Sequence, residues 1–154
     1  MRLLALALLA GSASAPALAQ TSLIPLFAMP ERVYFVDTST KKGAAPVRSI
    51  LTLAAIDPPL SRGISAREMT VSVDCTANTF TLTGLVSLDA GLNEISTDPA
   101  PTVPAAIGGP YSAIRDYLCS GKIPAGVTRY ASRAEALEAG LRIIAANRAD
   151  PTRQ

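Results

Sequence analysis

A chain of 154 residues has room for one domain with a real core and too little for two. It is 49% hydrophobic, which sets it apart from disordered chains, but aromatics are few and tryptophan is absent, so the core must come from Val, Ile, Leu and Ala. A formal net charge of +2 is too small to steer the chain to nucleic acid or an anionic membrane, and the lack of any histidine removes His-based triads, His-assisted cysteine chemistry and most zinc sites.

In chain order, residues 1–19 read as a signal peptide. Arg2 supplies a positive start, residues 3–10 are unbroken apolar, and Ala17-Leu18-Ala19 has the small-x-small form of a cleavage site, with a cut after Ala15 as second choice. The apolar run is far shorter than the roughly 20 residues of a spanning helix, and a core helix is the alternative. No cysteine lies near the cut to carry a lipid anchor, and no later segment has the length and apolarity to span a bilayer. The expectation is a soluble mature protein, periplasmic or secreted, with a net charge of +1 once Arg2 is lost.

Residues 20–31 carry Pro25 and Pro30 without a steady period and read as a flexible lead-in. The β-branched and aromatic run 32–37 predicts a strand, and the polar stretch to Gly43 a turn. Residues 47–56 form a second strand, apolar on both faces and therefore central, stopped by Asp57-Pro58-Pro59. Met69, Val71, Val73 and Cys75 then alternate with polar residues, as do Phe80, Leu82, Val86 and Leu88 after a turn at Asn78. That period predicts a β-hairpin with one buried face.

A further short strand is expected within 89–96, and the prolines of 98–110 predict a loop without regular pairing. Pro110 suits the first position of a helix with Ile114, Tyr117 and Leu118 on one face and Gly121 as its cap. Ser132 and Glu135 form a capping box opening a second amphipathic helix, which carries Leu137, Leu141 and Ile144, a Glu138–Arg142 pair, and Gly140 as a weak point. Cys75 and Cys119 are the only cysteines. In an oxidising compartment they are read first as a disulfide clamping the first helix to the hairpin, two unpaired thiols being the alternative. The fold class is α+β: an antiparallel sheet of about four to six strands with a helix on one face, one disulfide and a C-terminal amphipathic helix. The domain is expected over 32–121, with helix and tail over 122–154.

Little in the chain carries chemistry. There is no GxSxG or Walker-type loop, no metal site with packed acidic spacing, and no cofactor motif. Asp37, Asp74, Asp89, Asp98 and Asp116 are the carboxylates considered for an acid/base pair, mostly at strand ends or turns where aspartate serves local hydrogen bonds. The catalytic reading is set aside on these grounds. Lys41, Lys42 and Arg48 are the candidate binding cations, and Leu137, Leu141 and Ile144 the candidate face toward a partner, although packing on the domain itself is favoured.

The segment Val33-Tyr34-Phe35-Val36-Asp37-Thr38-Ser39-Thr40, followed by a long strand, Val71-Ser72-Val73-Asp74-Cys75 with Phe80 after it, a proline-rich loop and a helix closing on Leu118-Cys119, resembles the surface-adhesin protein E family of small bacterial envelope proteins. The resemblance covers residues 32–120. It implies an antiparallel sheet with a packed helix, bonded cysteines, and a non-enzymatic role in binding extracellular or envelope proteins. The chain departs from the family in lacking a lipid-anchor cysteine and any histidine, and the helix after Ser132 lies outside the match. The expected function is a non-enzymatic secreted or periplasmic binding domain. The alternative is an accessory subunit of an envelope complex docking through the C-terminal helix.

Overall fold

The computed structural model describes residues 21–100 and 104–150. The expected signal peptide and the last four residues of the tail lie outside the described residues. The fold is α+β, as the pattern predicts, but the sheet is larger: eight antiparallel strands among the described residues rather than four to six. They are β1 (Leu23–Met29), β2 (Arg32–Asp37), β3 (Lys42–Ala44), β4 (Val47–Leu60), β5 (Ile64–Asp74), β6 (Thr79–Leu88), β7 (Glu94–Asp98) and β8 (Ala105–Ala106). The strand order is β1-β2-β4-β5-β6-β7, with β3 also on β4 and β8 also on β6. Two helices follow, α1 (Pro110–Ser120) and α2 (Arg133–Ala149).

The expected lead-in is a correction. Its residues form β1, paired along β2 from Leu23–Asp37 to Met29–Arg32, and Leu23 and Ile24 are fully buried. Proline is tolerated there because β1 is an edge strand with a register shift between Pro25 and Phe27, the two settings in which a missing N–H is least harmful. The outer edge of β1 is closed at Leu23 by reciprocal backbone bonds with Tyr130, of 3.0 and 2.9 Å.

β4 is central, as its two-faced apolarity predicts, with β2 on one side and β5 on the other. Asp57-Pro58-Pro59 does not end the strand; it runs on to Leu60, and the prolines instead interrupt its ladder with β5 between Ala55 and Leu60. β5 begins at Ile64, before the clear alternation starts. The hairpin turn lies where expected, with Asn78 at φ 55°; the short strand expected within 89–96 falls later, as β7 over Glu94–Asp98, and the two-residue β8 pairs within the stretch expected to be loop.

Cross-strand partners share a face of the sheet. Val33, Phe35, Leu53, Ala55, Ala66 and Leu88 lie on one face and pack with Ala136, Leu137 and Ile144 of α2. Ile24, Val36, Ile50, Met69, Val71 and Val73 lie on the other and pack with Ile114, Tyr117 and Leu118 of α1. The sheet is thus covered on both faces, by different helices over different rows. α2 is part of the same fold as the sheet and not an appendage after residue 121.

β6 is divided between the two faces. Its register against β5 shifts between Glu68–Val86 and Thr70–Thr83, which places one extra residue in β6 around Gly84, at φ 64°. Such a bulge reverses side-chain parity. Phe80 and Leu82 therefore join the α1 core, while Val86 and Leu88 join the α2 core. The single buried face expected for this hairpin is corrected accordingly.

Candidate functional site

α1 is held at three points near the hairpin turn. Cys75 and Cys119 are disulfide-bonded, with Cα atoms 5.8 Å apart. Arg115 Nη1 donates to Asn78 Oδ1 at 2.9 Å, and Arg48 Nη1 donates to the Leu118 carbonyl at 2.6 Å. Gly121, at φ 72°, caps the helix. At the other end of α1, the Tyr111 ring stacks on Phe80 with centroids 4.1 Å apart. Burial pushes the hydroxyls of Tyr111 and Tyr117 above the ordinary tyrosine range; Tyr34 adds to the effect at Tyr111 and Arg32 opposes it.

α2 is capped by Ser132, whose Oγ accepts from Glu135 N at 3.2 Å, while Glu135 Oε2 accepts from Ala131 N. Glu138 and Arg142 are paired. Arg133 Nη1 is 2.9 Å from both oxygens of Glu68, an ion pair between α2 and β5 that the linear pattern did not signal. Leu137 is 3% exposed and Ile144 is fully buried, both against the chain's own sheet, and Leu141 is half-buried beside that core. The stripe read as a possible partner face is therefore occupied within the molecule.

The three candidate cations are not brought together. Lys41 Nζ lies 4.9 Å from the centre of the Tyr117 ring, and Arg48 is bound to the end of α1, so both serve the α1 face. Lys42 pairs with Ser49 and stands on the opposite face, exposed.

The carboxylates are likewise dispersed and locally engaged. Asp37 Oδ1 accepts from Ser39 N and Oγ at 3.0 and 2.6 Å. Asp74 accepts from the N–H groups of Thr76 and Ala77, and Asp116 pairs with Arg115. Asp89 accepts from Gly91 N and Asn93 N, both at 2.8 Å, and these bonds, led by that of the Asn93 side chain, hold its carboxyl below the ordinary range. Among the described residues, no three Cys, Asp or Glu side chains are grouped to hold a metal ion, and no helix is long and apolar enough to cross a membrane.

Part of the sheet's α2 face is not covered by α2. Beyond the rows under α2, three successive rows lie open. One runs Ala44–Val47–Asp74–Thr79–Ala106, the next Lys42–Ser49–Ser72–Thr81, and the third Leu51–Thr70–Thr83. Val47 is 48% exposed, and the others are half-buried or exposed. Six hydroxyl side chains thus stand on a rigid lattice of paired strands, with Val47 and Leu51 among them and Lys42 at the rim. The Thr/Ser alternation of β5 and β6 marks this surface in the sequence; what it cannot show is that α2 leaves these rows bare. No protein-family model, curated protein or solved structure matches this chain.

Proposed function

We propose that the chain is an exported, non-enzymatic binding domain, adhesin-like in the sense of the surface-adhesin protein E family, and that it engages an extracellular or envelope protein through the open half of the α2 face. The observation that carries this reading is the bare hydroxyl lattice spanning β3, β4, β5 and β6. Its backbone is fixed by strand pairing, so binding there orders few groups, and its mixture of hydroxyls with Val47, Leu51 and Lys42 suits the polar surfaces of proteins. The disulfide supports export, since such bonds persist in oxidising compartments.

The test is binding of the purified mature chain to immobilised extracellular-matrix proteins and to envelope extracts. Ser72→Arg and Thr81→Arg, both on the open lattice, are expected to abolish binding, while Glu138→Arg, on the exposed side of α2, leaves it unchanged. Equal loss in all three, or binding that survives both lattice substitutions, contradicts the assignment of this face.

A further inference from the structure

A hollow of about 260 Å³ lies beside α1, between that helix, β1 and the segment after the Gly121 cap. Leu26, Ala113, Asp116, Lys122 and Pro124 line it. Leu26 is the extra residue where the β1–β2 register shifts between Pro25 and Phe27; a bulge of this kind re-aims a side chain, and Leu26 is buried in the α1 core. Ala113 and Asp116 stand three apart on α1 and therefore on one side of it, next to the core residues Ile114 and Tyr117. Gly121, at φ 72°, turns the chain back, and Ile123 packs against the same core, which brings Lys122 and Pro124 alongside.

The lining is apolar except for Asp116 and Lys122, and their charges are not equally free. Asp116 Oδ1 accepts from Arg115 Nε at 2.9 Å and from Nη2 at 2.6 Å. Lys122 Nζ stands 4.0 Å from Asp116 Oδ2, and the lysine side chain is 75% exposed. Two cations against one acid leave this group net positive. Lys41, over the Tyr117 ring, and Arg129, which favours the ionised form of the Tyr117 hydroxyl, add to the positive field along α1. The partial negative charge at the end of the helix is already engaged. The Gly121 and Lys122 N–H groups donate to the carbonyls of Tyr117 and Asp116, and Arg48 donates to that of Leu118.

We propose that this hollow binds a small apolar monocarboxylate, its hydrocarbon part on Leu26, Ala113 and Pro124 and its carboxylate on the Lys122 ammonium. Small-molecule sites are mostly apolar hollows with a few placed polar groups, and this volume is just under their usual range of about 300–1,000 Å³. At about 30 Å³ for each water-sized group there is room for about eight, the heavy-atom count of hexanoate. The net positive surroundings oppose an amine, and one free ammonium matches one negative charge. A ligand of this size binds at about millimolar concentration. The hollow is on the α1 face, opposite the open lattice, and is independent of the function proposed above.

The test uses the intact mature chain and follows the backbone NMR signals of Ala113, Asp116 and Lys122 during titration with sodium hexanoate, hexanol, hexylamine or sodium acetate at constant ionic strength. Saturable shifts with hexanoate are expected, weaker ones with hexanol, and none with hexylamine or acetate. Lys122→Gln should weaken hexanoate about fivefold, the upper end for an exposed ion pair, and leave hexanol unchanged. Ala113→Leu, which fills the hollow, should abolish both. Hexylamine binding as well as hexanoate overturns the charge assignment, and acetate matching hexanoate overturns the apolar seat. Signals unmoved by every ligand, or full hexanoate binding by Ala113→Leu, overturn the site. The wild-type titration decides between these outcomes even if Ala113→Leu fails to fold.

Discussion

Gly140→Ala is expected to destabilise the protein although it improves helix propensity. On an exposed helix the change stabilises by about 1 kcal/mol. Here Gly140 is buried where α2 meets the sheet, and a Cβ at this position would lie 2.5 Å from Ala55 Cβ and 3.0 Å from Phe35 Cε2. Ordinary carbon contacts are about 3.5–4.0 Å, so the helix must retreat from β4 by roughly an ångström or the Phe35 ring must tilt. Overpacking of this kind costs about 1–3 kcal/mol, and retreat also loosens Leu137 and Ile144. Set against the propensity gain, the net effect is a loss of up to about 2 kcal/mol, read as a lower denaturant midpoint at unchanged slope. Ala55→Gly removes the opposing methyl, so the double variant should show a favourable coupling of at least about 1 kcal/mol. A gain in stability for Gly140→Ala alone would refute the close packing of α2 on β4.

Three further outcomes follow from the same structure. Cys75→Ala opens a cross-link between residues 44 apart in sequence, and loop entropy puts its worth at about 4 kcal/mol, so chemical unfolding should show a loss of about 2–4 kcal/mol; an unchanged midpoint would contradict the bond. Glu68→Gln removes the charge that holds Arg133, whose side chain is half exposed and therefore partly screened; a loss of about 1 kcal/mol in thermal or chemical unfolding is expected, and none if the pair is immaterial. The tyrosines set an alkaline limit. Tyr111 and Tyr117 are raised above 10.0 in the fold, so their contribution is complete below pH 10 and is lost as pH climbs from there through the raised values. Near-ultraviolet titration should find two tyrosines ionising late in the native protein and normally in denaturant; simultaneous ionisation in both would refute their burial.

The parts of the fold legible in the linear pattern are those in which one local rule acts alone. The Asn78 turn, the Pro110 start and Gly121 cap of α1, the Ser132–Glu135 box and the central position of β4 are of this kind. The parts that escape it depend on tertiary partners. β1 is a strand despite Pro25 because β2 and Tyr130 flank it. The parity change at Gly84 looks like unbroken alternation of Phe80, Leu82, Val86 and Leu88, because a glycine hides the bulge. Gly140 reads as a helix defect until Ala55 and Phe35 are seen beneath it. The site follows the same logic: the hydroxyl alternation is visible, whereas its exposure is set by where α2 ends its cover.

The most direct test of the account is peptide mapping of the protein recovered from cells that export it. The account predicts a chain beginning at Gln20 and a non-reduced fragment in which Cys75 and Cys119 are joined. An intact leader on protein confined to the cytoplasm, with both thiols free, would contradict it.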